Sequence, residues 1–190
     1  MQPFDFVITF FSFIFSLALA HLLLAVGQMI RHRRELVFDW AHALWMSVAL
    51  GTLTINWLSF WDGHTLGSLS MATIAIGLAF CINQYLVCAL VSPRIPREDG
   101  VDMRAFHQQQ GPTYIFAILV LCVFSIAVNL LGGSALDMTN WATQNAGVLA
   151  MLAVLIPALV WRARWVQVVS PAILIVLIGV FLVTYYPVLR

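Results

Sequence analysis

The sequence has little charge and no lysine, and each absence excludes a class of protein. Only 9% of its 190 residues are charged, against about 25% in ordinary soluble domains, while 62% are hydrophobic. All nine basic residues are arginines, which excludes chemistry that needs a lysine Schiff base, as in the usual retinal proteins. The mean hydropathy of +0.96 agrees that this chain is not a soluble domain.

Cysteine and enzymatic motifs are also scarce. The three cysteines, Cys81, Cys88 and Cys122, lie in apolar runs and form no Cys-x-x-Cys pair, so neither a disulfide framework nor a redox motif is predicted. The sequence contains no His-Glu-x-x-His, no Gly-x-Ser-x-Gly, no phosphate loop and no dinucleotide glycine fingerprint. No metal site is predicted, and a non-enzymatic role is favoured although the question stays open.

Long apolar runs recur along almost the whole chain. A helix needs about 20 apolar residues to cross a bilayer, and six runs approach or exceed that length. The first is much longer than the ~7–15-residue core of a signal peptide, so we expect it to be retained as a helix. We predict one all-α domain over residues 1–190, a six-helix transmembrane bundle with no soluble domain, with spans at about 6–30, 39–61, 68–91, 113–131, 141–161 and 165–186.

The arginines predict how the chain is threaded. Eight of the nine fall in the connections after span one, between spans three and four (about 92–112), and between spans five and six. Positively charged connections stay in the cytoplasm, so both termini are expected outside, on the periplasmic side of a bacterial inner membrane. Arg31, Arg33 and Arg34 form a basic cluster that is expected to attract anionic lipid headgroups, at about 1 kcal/mol per arginine. Bound lipids are therefore expected.

The connection from Ser92 to Pro112 allows two interpretations. In the first, Asp102 caps a short surface helix that ends at Gln110, with Met103 and Phe106 against the membrane. Pro112 then lies in the first turn of span four, where its missing N–H costs nothing. In the second, one longer helix is kinked at Pro112.

Small residues predict where the helices pack most closely, because burial of apolar surface does not drive helix association in lipid. Span one carries Ser12, Ser16 and Ala20, and span three carries Thr73, Gly77 and Cys81. Span five has small residues at steps of three and four. We expect these three spans to form the centre of the bundle, with the face of span five made of Ala142, Ala146, Ala150 and Ala153.

Two histidines are the candidate cofactor ligands. Buried ionisable groups in membranes are costly and often functional, and His21 is predicted about 14 Å from the end of its helix at 1.5 Å per residue. His42 lies one turn into span two, on the same face as Asp39. His21, possibly with His42, would hold haem b or a quinone, whereas the alternative is a neutral packing histidine at each position. The two predicted depths differ by about one turn, which disfavours a shared haem.

A thin polar stripe follows span two. Thr52 and Asn56 continue the face of His42 at helical spacing, and Gln84 lies on span three. Uncharged polar groups that bond between helices explain most such stripes, at about 0.6 kcal/mol each. The alternative is a narrow pathway for water, a small neutral solute or an ion.

Three functions therefore remain open. We favour a non-enzymatic accessory or structural subunit that packs against itself, as a homo-oligomer, or against another membrane protein. The first alternative is a channel or transporter for a small or neutral solute along the stripe of span two. The second is a haem- or quinone-binding electron-transfer protein. No cofactor is predicted for the favoured function, and no nucleic-acid partner is expected for any of the three.

Overall fold

The computed structural model is all-helical where it describes the chain, which confirms the predicted all-α class. The description covers residues 3–60, 70–93, 102–132, 141–143 and 145–186. No strand is present in these ranges; the only extended pairing there is an isolated bridge between Val37 and Asp102. The helices are α1 (Pro3–Arg31), α2 (Trp40–Ser59), α3 (Met71–Val91), α4 (Met103–Gly132), α5 (Ala146–Val160) and α6 (Arg164–Tyr185).

Four of these helices are long and apolar enough to cross a membrane. They are α1, α3, α4 and α6, over Asp5–Arg31, Met71–Val91, Met103–Asn129 and Arg164–Tyr185. The sequence of α2 is less apolar, and α5 is a shorter apolar helix over Asn145–Val160. The findings support an integral membrane protein in contact with lipid, whereas six complete spans stay a prediction.

Helix α2 has the most neighbours and organises the bundle. It packs against α1, α3, α4 and α6, while α5 contacts α4 and α6. Two glycines allow close approach: a methyl group at Gly77 would lie 2.8 Å from the Phe11 ring of α1, and one at Gly51 would lie 3.0 Å from Ile178 of α6. Contacts this short would force the neighbouring side chain to move, so glycine lets the α1–α3 and α2–α6 pairs approach closely.

The beginning of α4 follows the second interpretation of the 92–112 connection. Residues 103–132 form one helix that contains Pro112, and Asp102 caps it by accepting from the backbone N–H groups of Arg104 and Ala105 at 2.8 and 3.1 Å. Met103 donates its backbone N–H to the Val37 carbonyl at 3.1 Å. The expected membrane contact of Met103 is wrong, because that side chain is 1% exposed inside the bundle.

The expected position of the alanine face of α5 is also wrong. Among the described residues, α5 contacts neither α1 nor α3, so it lies at the edge of the bundle. Ala142, just before α5, and Ala146 and Ala153 within it are exposed. Lipid chains are as apolar as a neighbouring helix, so the alanine pattern could not distinguish a central from a peripheral position.

Candidate functional site

A buried polar cluster lies at the end of the bundle where the described arginines are found. The N-terminal turns of α2, α4 and α6 meet there, and the connection between α1 and α2 pairs with the start of α4 through Val37 and Asp102. We call this group of side chains the inner cluster. It consists of Asp39, His42, Trp45, Phe106, His107, Tyr114 and Gln167.

Asp39 begins α2 and places His42 in the cluster. Its backbone is extended, and its carboxylate accepts from the backbone N–H of His42 at 3.3 Å, as an N-cap residue does. Asp39 is only 7% exposed, and its charge acts on the side chains of His42, His107 and Tyr114. A single capping carboxylate therefore sets both the helix start and the local field.

His42 is fully buried among aromatic rings. The distances from its ring centroid to those of Phe106, Tyr114 and His107 are 5.2, 6.2 and 6.4 Å. Neither ring nitrogen has a hydrogen-bond partner among the described residues. A neutral imidazole has one donor and one acceptor, and each unpaired buried polar group costs about 1–3 kcal/mol. His42 is thus the most exceptional side chain of the cluster.

His107 and Tyr114 form the α4 side of the cluster. They lie seven residues apart on one helix face, and the His107 Nδ1 atom and the Tyr114 hydroxyl share a hydrogen bond. Gly111 lies between them, where a methyl group would come within 3.4 Å of two atoms of the His107 ring. The glycine therefore leaves the imidazole room to lie against its own helix.

Gln167 connects the cluster to the end of α5. Its amide nitrogen donates to the carbonyls of Ala158 and Trp161 at 2.7 and 3.1 Å, which pairs two of the carbonyls left free at a helix C-terminus. Gln167 also lies close enough to His107 to act on its ring as a hydrogen-bond acceptor. The geometry nevertheless falls outside the limits of a hydrogen bond, so the buried amide oxygen of Gln167 has no such bond to a described residue.

The predicted polar stripe is a hydrogen-bonded contact between α2 and α3. The Asn56 amide donates to Gln84 Oε1 at 2.8 Å, and Gln84 Nε2 donates to Thr52 Oγ1 at 3.5 Å. The Thr52 hydroxyl in turn donates to the Ala49 carbonyl at 3.0 Å. Thr52, Asn56 and Gln84 therefore come together, and they bond to one another. We call these three residues the α2–α3 clasp.

His21 lies apart from the inner cluster. It is half-buried, and its ring contacts Tyr85 of α3 with a centroid distance of 6.1 Å. His42 instead contacts α4 through Phe106 and Tyr114. No contact between His21 and His42 is present within the described residues, so a cofactor held by both stays a prediction without support from this geometry.

The basic cluster is exposed at the end of α1. Arg31 is the last residue of the helix, and Arg33 and Arg34 follow it, all three with exposed side chains. Arg162 and Arg164, beside exposed Trp161 and Trp165, are also exposed. Arginine and tryptophan together are typical of the headgroup level of a membrane. Contact of Arg31, Arg33 and Arg34 with lipid headgroups stays a prediction.

Sequence reasoning missed His107, Tyr114 and Gln167 as members of a site. A signal was present for α4, because Met103, His107, Gly111, Tyr114 and Ile118 recur at steps of three and four on one face. Within the described residues, no group of three or more histidine, cysteine or acidic side chains is placed to hold a metal ion. The inner cluster therefore combines histidine, aromatic and amide side chains with the carboxylate of Asp39.

Comparison with protein-family models, curated proteins and solved structures finds no match for this chain.

The Tyr114→Phe substitution tests the hydrogen bond of the inner cluster. Loss of the hydroxyl leaves a buried nitrogen of His107 unpaired, so we expect the free energy of unfolding in mild detergent to fall by about 1–3 kcal/mol. Tyr85→Phe is the matched control, because Tyr85 is half-buried and no hydrogen bond of its hydroxyl is present in the described part of the chain. Equal effects of the two substitutions would contradict this assignment.

Proposed function

We propose that the chain is a non-enzymatic subunit of the bacterial inner membrane that acts by association with another transmembrane helix. The observation that carries this proposal is the exposed small-residue face of α5, a peripheral helix. Ala146, Gly147 and Ala153 are exposed there, and α5 has neighbours only in α4 and α6 among the described residues. Small residues let helix backbones approach in lipid, so this face suits a further helix better than bulky residues would.

The bonds that polar groups make between helices support the same proposal. Asn56 and Gln84 bond between α2 and α3, Asn83 donates to the Ala117 carbonyl of α4 at 3.0 Å, and Asn129 donates to Asn145 at 2.9 Å. Each bond connects two neighbouring helices. The polar groups of the clasp are bonded to protein groups, so they do not form a row of unpaired groups. The polar residues of α2 and α3 thus stabilise the bundle.

The partner helix comes from a second copy of this chain or from another membrane protein. Purification from native membranes in mild detergent, followed by mass measurement, distinguishes the two sources. We expect a homo-oligomer or a stoichiometric co-purifying membrane protein, and the double substitution Ala146→Leu with Ala153→Leu should abolish it because leucine keeps the backbones apart.

The control is Ala172→Leu, since Ala172 is an exposed alanine of α6 outside the proposed face. It should leave the assembly intact. A lone monomer from native membranes, or an assembly that survives the α5 double substitution, would refute the proposal.

The proposed threading has six spans with both termini outside. The question that decides this threading is whether α2 and α5 cross the membrane. These two helices are not among the four that are long and apolar enough to do so. The 20 residues of α2 extend about 30 Å at 1.5 Å per residue, which matches a bilayer core of about 30 Å. Exposed arginines lie before α2 and after α5, at Arg33 and Arg162, where the positive-inside rule places the cytoplasm.

Cysteine labelling tests the threading. In chains whose three native cysteines are replaced, a membrane-impermeant maleimide added outside should label Ser59→Cys and Ala142→Cys, but should label Arg33→Cys and Arg162→Cys only after permeabilisation. All four side chains are exposed. Labelling of both members of the Arg33 and Ser59 pair from one side would show that α2 does not cross.

Two alternative functions follow from other residues of the described part of the chain. A solute pathway along Thr52 and Asn56 requires these groups to exchange their bonds within the clasp for bonds to the solute. A flux of solute into liposomes that falls in the Asn56→Leu variant would favour this function. A haem held by His21 would give a Soret band in the purified protein.

A further inference from the structure

The unpaired polar atoms of the inner cluster belong to side chains that share neighbours. Both ring nitrogens of His42, the indole nitrogen of Trp45 and the amide oxygen of Gln167 are buried without hydrogen-bond partners in the described ranges. His42 and Trp45 are each 0% exposed, and both rings contact the ring of Tyr114, with centroid distances of 6.2 and 6.0 Å. Gln167 and His42 both neighbour His107.

The side chains with unpaired atoms and their shared neighbours, Tyr114 and His107, come from different helices. His42 and Trp45 lie three residues apart on α2, so they occupy one face. Tyr114 and His107 belong to α4, and Gln167 to the first turn of α6. Two helices, α2 and α6, therefore contribute four unpaired atoms, on side chains that neighbour α4, although nearly all buried polar groups are normally paired.

The types of these atoms specify the ligand. The Trp45 N–H only donates, the Gln167 oxygen only accepts, and a neutral His42 offers one donor and one acceptor. The matching group both donates and accepts, as a hydroxyl does. A cation is disfavoured for two reasons. Among the described residues, the one carboxylate that acts on the cluster is that of Asp39, which already caps α2, and no metal-ligating group of three is present there. An anion is disfavoured by the same carboxylate, which would repel it.

We infer that the inner cluster binds a small uncharged hydroxyl ligand, which bonds to His42, Trp45 and Gln167 and bridges α2 to α6. Ordered water has this chemistry, and a buried water typically makes about three hydrogen bonds. The hydroxyl of a lipid headgroup or of another small alcohol has it too. The site is independent of the proposed association through α5.

Nuclear magnetic resonance of the full chain distinguishes the sources. The protein is perdeuterated except at exchangeable sites, labelled with 15N in histidine and indole nitrogens, and purified in deuterated detergent from protonated native lipid extract. His42→Gln and Trp45→Phe identify the two signals. We expect cross-peaks from the His42 and Trp45 N–H protons to water, or to carbon-bound protons of a retained organic alcohol. Cross-peaks to protein protons alone would overturn the inference.

Thermal unfolding gives a second, independent readout. If His42 bonds to a ligand, His42→Leu removes those bonds and should lower the melting temperature by about 4 °C or more, while His42→Gln, which keeps a donor and an acceptor, should recover part of the loss. If the imidazole has no partner, His42→Leu relieves a buried unpaired group and the melting temperature stays equal or rises. That result would refute the inference, as would bonding of both His42 nitrogens to protein groups outside the described residues.

The control for unfolding is Trp57→Phe. Trp57 lies on the same helix, is 53% exposed and makes no contact with the inner cluster. It should leave the melting temperature and the His42 cross-peaks unchanged, whereas Trp45→Phe should remove the cross-peak of the indole and weaken that of His42.

Discussion

The nonpolar surroundings of these helices leave their polar side chains few partners except each other. An amide in hydrocarbon cannot exchange its protein partner for water, so an unpaired one is costly. Asn56 of α2 and Gln84 of α3 meet this constraint by bonding at 2.8 Å. The position of α2 among four neighbours follows in part from such bonds, because apolar surface alone does not choose one helix neighbour over another in lipid.

The same constraint applies to the inner cluster, which lies at the N-terminal end of α2. The Asp39 cap and the Val37–Asp102 bridge bring the starts of α2 and α4 together, and Gln167 pairs the free carbonyls at the end of α5. His42, Trp45 and the amide oxygen of Gln167 are exceptions to this pairing among the described residues. A bundle that bonds Asn56 to Gln84 yet buries an imidazole with both nitrogens unpaired has a reason to hold a ligand there.

The sequence predicted those features that depend on local pattern. Apolar runs located the helices, and the spacing of Thr52 and Asn56 grouped them on one face of α2, from which Asn56 bonds to Gln84. Pro112 left open either a break between a surface helix and a span or one continuous helix. A proline removes only one backbone donor, and α4 continues through it. His107 and Tyr114 were missed because their role depends on the pairing of Val37 with Asp102, a contact across 65 residues that no local pattern contains.

The alanines of α5 show a second limit on what a local sequence pattern can predict. Their spacing correctly marks a small-residue face, but the pattern is the same whether the partner belongs to this chain or to another. The structure places α5 at the edge of the bundle, which turns an expected internal contact into a candidate external one.

The central claim is that neutral polar side chains between α2 and α3 bond to each other and thereby stabilise the bundle. A double-mutant cycle with Asn56→Leu and Gln84→Leu, measured by reversible unfolding in mild detergent, tests it most directly. The account predicts a favourable coupling of about 0.6 kcal/mol, and at most about 1.7 kcal/mol, with each single substitution destabilising. Zero coupling, with both single variants as stable as the parent chain, would contradict it.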